Sequence, residues 1–172
     1  MYALGNRARL SRHERIFKQA VVSAAQSKRD AEHLALATCG AACWLAGVAP
    51  GSTVSLRSAL SDLSPTRWNV VCGELTQAAQ DASSNGNAAH HLAFALLAGI
   101  VDSRVIEIAR PSVAAEAADF RDRALAFAEN LTSTALSLIG PEGDGETAAA
   151  PVWAFAPLLA ERQLELEAGT HP

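Results

Sequence analysis

Two cysteines four residues apart, in Cys39-Gly40-Ala41-Ala42-Cys43, are the pair best placed to do chemistry in this chain. On a helix that spacing puts both sulfurs on one face, one turn apart. As thiolates they could share a soft metal such as Zn(II) or Cu(I), with Cys72 or a histidine completing the shell. A Cys-x-x-Cys knuckle would aim both sulfurs inward more specifically. Cysteine is also a small buried hydrophobe. Gly40, Ala41, Ala42, Ala46 and Gly47 around the pair suit close approach of a neighbouring helix.

His90-His91 follows an Asn-Gly-Asn turn at the start of an apolar run. Adjacent helical residues point about 100° apart, so the two do not converge on one ion. His90 shares a face with Phe94 and Leu97. A buried histidine there could ligate a metal or haem or act as a general base. It could equally cap the end of a bundle. His33 lies six residues before Cys39, off the face of the two thiols. The other familiar patterns are missing. There is no Glu-x-x-His, His-Glu-x-x-His, Gly-x-x-x-x-Gly-Lys, Gly-x-Gly-x-x-Gly or Gly-x-Ser-x-Gly, which excludes the common di-iron, zinc-protease, nucleotide and hydrolase signatures. No cofactor is assigned. Asp102, Glu107, Asp119 and Asp122 interleave with Arg104, Arg110, Arg121 and Arg123 and read as a solvated face of neighbouring charge pairs.

The charge is divided along the chain. Residues 1–30 carry seven Lys or Arg against Glu14 and Asp30, while the whole chain is net −4. Arg12, Arg15 and Lys18 step by three and could form a basic face for phosphates. The same asymmetry fits a first helix lying on an acidic body.

These residues need elements to hold them, and the composition favours helix. Alanine dominates and β-branched residues are modest, and Ala loses no side-chain entropy in a helix. Prolines and glycines sit where helices should start or stop: Pro50-Gly51, Ser64-Pro65, Pro111-Ser112 as a second cap, and Gly140-Pro141. Pro151 and Pro157 mark the start of a last helix. Proline inside a helix costs about 3 kcal/mol, so this placement carries weight.

Phe17, Val21, Ala24, Ala31, Ala35, Thr38, Ala42 and Leu45 keep a helical period over residues 11–48. That stretch is either one helix or two broken near Ser27 to Asp30. A short helix is expected over 54–63. Another runs over 65–83, with Trp68, Cys72, Leu75, Ala79 and Ala82 on one stripe. Residues 83–87 form a turn. Residues 88–109 are apolar nearly all round, through Ile106 and Ile108, and should form the central, most buried helix. Val113, Ala117, Phe120, Ala124, Phe127, Leu131, Ala135 and Leu138 recur by threes and fours, the seven-residue pattern of bundle packing. Residues 1–10 read as an N-terminal arm, 140–150 as a flexible loop, 152–167 as a last helix and 168–172 as a frayed tail.

The expectation is one all-α domain over residues 1–172, a bundle of five to six helices. No apolar window is long enough to span a membrane. The three cysteines do not form a secreted framework, so a cytoplasmic setting is expected. Three functions are compatible. The first is an interaction or assembly protein, its apolar surplus covered by itself or another protein, with Trp153 as an interface anchor. The second is a ligand- or metal-binding bundle, possibly enzymatic, with a pocket near Cys39, Cys43, Cys72 and His90. The third is a nucleic-acid accessory subunit using Arg12, Arg15 and Lys18, which the acidic net charge disfavours.

Overall fold

Short-range chain chemistry cuts the molecule into helices. A computed structural model describes residues 2–47 and 55–139. In it, α1 (Tyr2–Gln26) and α2 (Lys28–Ala46) are separate, which settles the division of residues 11–48. The joint is Ser27. Its backbone is extended and its side chain accepts a hydrogen bond from the Asp30 amide at 3.0 Å. Asp30 adds negative charge to the first turn of α2, where the helix dipole is positive. α2 stops at Gly47, whose left-handed backbone (φ 70°) lets its N–H reach back to the carbonyls of Cys43 and Trp44.

α3 (Leu56–Ser61) is capped by the Ser55 side chain, and α4 (Pro65–Ser84) begins with proline at its first position after Ser64. Gly86, also at positive φ, turns the chain into α5 (Ala88–Ala109). A single 3-10 turn, Pro111–Val113, leads to α6 (Ala114–Ile139), so Ser112 lies inside that turn rather than capping the helix. The described residues form six helices and no strand. None of the helices is long and apolar enough to cross a membrane.

α5 is central, packing against α1, α2, α4 and α6. α2 shares that position, touching α1, α3, α5 and α6. It is in fact the more continuously buried of the two: residues 34–45 are all buried, whereas Ile108 near the end of α5 is 68% exposed. Small residues explain the difference from expectation. Ala, Gly and Cys let neighbouring helices close on α2, while Ile108 in the last turn of α5 lies on a face left open among the described residues. Trp44 crosses Phe94 edge-on at 6.3 Å and joins the two helices.

Two expectations for the first helix need correction. Residues 2–10 are not an arm but the opening turns of α1, with Leu10 buried and Arg7 paired to Glu116 at 3.5 Å. The buried stripe also does not run through Val21, which is 41% exposed. It runs through Leu10, His13, Phe17, Ala20 and Ala24, steps of three and four in which a histidine takes a core position. On α6 the expected repeat is buried at Val113, Ala117, Phe120, Ala124, Leu131 and Ala135. Leu125, Ala128 and Thr132 widen it, so α6 packs on both α2 and α5. The side chain of Leu138 lies outside the described residues, as do Val48 to Val54 and the expected loop, last helix and tail of residues 140–172.

The register of α1 can be checked by two truncations. Phe120 is fully buried and packs on both His13 and Phe17. Phe120→Ala should cost about 3–5 kcal/mol in urea unfolding. Val21→Ala should stay within about 0.5 kcal/mol; a large loss there would show that Val21, not Ala20, faces the core.

Candidate functional site

An aspartate buried on the central helix α5 is the most demanding residue in the fold. Asp102 is only 3% exposed. A lone carboxylate in an apolar interior would cost far more than any one contact returns, so it must be paired and hydrogen-bonded. Both partners come from α1. Arg9 and His13 are four residues apart and so share one face of that helix. Arg9 Nε donates to Asp102 Oδ2 at 3.2 Å and its Nη2 to Oδ1, a two-pronged pairing. His13 Nε2 donates to Oδ2 at 2.7 Å.

The surroundings hold this clamp in place. The His13 ring stacks on Phe120 at 6.2 Å. Its other side lies against Gly99, where an added Cβ would come within 3.2 Å of the imidazole. Gly99 therefore gives the pinned ring its room. Burial alone would raise the Asp102 carboxyl, but the hydrogen bonds from His13 and Arg9 outweigh it and hold the group below the ordinary Asp value. Cys72 stands nearby on α4 and donates its S–H to the Ala98 carbonyl at 3.6 Å. Burial, and then the Asp102 charge, push that thiol up to about 11. It is a protonated, unreactive sulfur at neutral pH.

His13 also borders a groove. α1 and α4 flank α5 without closing on each other over its N-terminal half, leaving a cavity of about 200 Å³. Ile16, Ala79, Ala95 and Ala98 make its apolar surface; Arg12, His13, Thr76, Gln80 and His91 supply the polar groups. His91 Nδ1 lies 2.8 Å from the Ala79 carbonyl. A carbonyl only accepts, so Nδ1 carries the hydrogen and the tautomer is fixed by the backbone. Two larger depressions are surface troughs. One, 510 Å³, runs between α1 and α6 among Arg7, Glu14, Glu116 and Asp119. The other, 380 Å³, lies at the bundle end by Asp30, His33 and Asn87. The charges lining the first are already paired, Arg7 with Glu116, and Glu14 and Asp119 with Arg123 beside it.

The residues singled out from sequence are spread over several places. Cys39 and Cys43 are buried together in α2. Their mutual hydrogen bond, then burial, push the Cys39 thiol far above its usual range. His90 is half-buried at the start of α5. Asn87 Oδ1 accepts from the His90 amide, so its Nδ2 donates to the ring Nδ1 at 2.6 Å. A ring nitrogen that accepts is unprotonated, in keeping with the lowering of His90 by burial and by His33. Cys72 belongs with Asp102 instead. Among the described residues no three His, Cys, Asp or Glu side chains could hold a metal ion together. Arg12, Arg15 and Lys18 are exposed, and none is in an ion pair among the described residues. Arg12 lines the groove. Trp153 lies outside the described residues.

Asp102, Arg9, His13 and Gly99 were not anticipated as a site. Asp102 read as part of a solvated charge face, which its burial corrects. One signal was present: a carboxylate interrupts an otherwise apolar helix, and an arginine and histidine four apart could satisfy it. No family model, curated protein or solved structure matches the chain.

The clamp has a definite acid signature. Because the folded carboxyl titrates below the ordinary 3.8, the unfolded chain takes up this proton first as pH falls. The stability it contributes is full above that value and is lost as pH drops through the lower folded one. Asp102→Asn places an amide opposite two donors. It should cost stability at pH 7, at or below the low end of the roughly 3–5 kcal/mol for breaking a buried pair, since Arg9 reaches water. It should also flatten the fall in urea midpoint below pH 4. Equal slopes for variant and parent would exclude the clamp as the acid-labile element.

Proposed function

We propose that this chain is a small-molecule-binding helical bundle whose site is the groove between α1, α4 and α5. One observation carries the reading: a histidine fixed on a buried carboxylate borders an apolar-floored cavity that has fixed polar groups on its walls. Concave, mostly apolar sites with a few oriented polar groups are where small ligands bind. The volume, about 200 Å³, is below the roughly 300 Å³ at which drug-sized pockets begin. A ligand of metabolite-fragment size fits within it. Relative to the pocket expected near Cys39, Cys43, Cys72 and His90, the site moves along α5 to His13 and His91. Cys72 remains close through its contact with Ala98.

An assembly role is the second reading, supported by the adjacent Val21 and Val22, 41% and 58% exposed on α1. Four helices of its own chain pack on α5 and leave Ile108 near its end exposed, so self-association would rest on these smaller patches. Arg15 and Lys18 face outward and would suit an anionic surface, while the net charge of −4 opposes general nucleic-acid affinity.

The binding reading is tested by thermal shift with fragment-sized acids, amines and alcohols at millimolar concentration. A ligand of the folded state raises the melting point by mass action. Ala95 is half-buried in the groove, so Ala95→Phe should fill it and abolish the shift while keeping the helical circular dichroism. Ligands that shift the variant equally, or a panel without a hit, would overturn the reading. For assembly, light scattering should give a mass above the monomer that Val22→Glu lowers; a monomer at high concentration would end that reading.

A further inference from the structure

We infer that the groove takes a small organic monocarboxylate, its acid group toward Arg12 and its apolar part on α5; this rests on the groove being a binding site. The charge pattern carries the inference. No Asp or Glu lines the cavity, while Arg12, His13 and His91 do. The one carboxylate behind it, Asp102, is already covered by Arg9 and His13, so little negative field opposes an incoming anion. Arg12 is exposed on the wall and is in no ion pair among the described residues. Its planar fork of N–H donors matches a carboxylate in two-pronged fashion.

The rest of the lining sets the size and the valence. The half-open groove, about 200 Å³, has room for a ring or short branched chain carrying one acid group; a benzene-sized body takes roughly 150 Å³. Arg12 is the only permanent cation in the lining, with the Gln80 amide as a neutral donor. The Thr76 hydroxyl donates its one hydrogen to the Cys72 carbonyl at 2.8 Å. One full positive charge and a mainly apolar surface fit a monoanion with an apolar body better than a dianion such as phosphate, which needs several charged donors.

Sodium benzoate, benzyl alcohol, benzylamine and inorganic phosphate share size or charge in different combinations, and each can be titrated by calorimetry. The ring signals of His13 and His91, read by nuclear magnetic resonance, report the place of binding. Benzoate should saturate, shift both rings and bind at least tenfold tighter than benzyl alcohol, with benzylamine weaker still. Arg12→Gln should weaken benzoate at least tenfold and leave benzyl alcohol unchanged. Arg12→Lys should fall between, since it keeps the charge and loses the fork. Arg12 is exposed, so both variants should keep the parent melting point. Benzyl alcohol as tight as benzoate, tighter phosphate or benzylamine, or indifference to Arg12→Gln would overturn the carboxylate assignment while the groove stands. If none of the four probes shifts His13 or His91, both the assignment and the groove fall together.

Discussion

The neutralisation of one buried carboxylate governs how the first helix lies on the rest of the bundle. Asp102 can be tolerated inside only if donors reach both of its oxygens, and Arg9 and His13 supply them from α1. That demand sets direction as well as contact. Residue 9 meets 102 and residue 13 meets 99, so α1 runs antiparallel to α5. Arg7 with Glu116 and Glu14 with Arg123 show it parallel to α6. Sliding α1 by one turn would put Gly5 or Phe17 in the place of one of the two donors and leave the carboxylate with at most one. A buried ion pair adds little net stability over an apolar trio of similar shape. Here it distinguishes one register from its neighbours, on a helix whose own apolar stripe is thin.

The second constraint is close approach around α2. Its buried stretch contains few large side chains apart from Leu and Trp44, and four helices touch it. Its polar atoms are satisfied within the helix: the Thr38 hydroxyl donates to the Leu34 carbonyl at 2.7 Å, and Cys39 bonds to Cys43. The thiol pair that first suggests metal chemistry thus serves as small, self-satisfied packing. The same spacing that would present two sulfurs to an ion also lets them hydrogen-bond to each other.

How far the sequence could be read depended on whether the cause was local. Ser64-Pro65 and the turn around Gly86 act through their own backbone and neighbours, and those joints stand where they were expected; Ser27 decides between the one-helix and two-helix readings, and α2 ends at Gly47, which was read only as a small packing residue. The α6 stripe was legible because apolar residues carry it. The clamp was not, because its partners lie 89 and 93 residues apart and nothing in the local pattern links them. Charged residues default to solvent in any pattern reading, so Asp102 joined a surface face and Arg9 an arm. His13 hid the true stripe of α1 and left Val21 as an apparent core residue. Apolar size also misled over burial: Ile108 is large and exposed, whereas Gly40 and Ala41 are small and enclosed.

The uneven charge of the chain follows from the same clamp. Part of the N-terminal basic excess is used within the fold, where Arg9 meets the buried Asp102 of α5 and Arg7 meets Glu116 of α6 at the surface. Arg12, one turn beyond Arg9, points past α5 to the groove, and Arg15 and Lys18 face outward. One helix therefore supplies both the charge that fixes its own position and the charge at the cavity wall. The two cannot vary independently. A shift of α1 that loosened Arg9 and His13 from Asp102 would move Arg12 and Ile16 as well, and the cavity between α1 and α4 would change width with it. The width of the groove and the stability of the clamp are then two readouts of a single degree of freedom, the placement of α1 on α5, and the binding proposed for the groove would be linked to both.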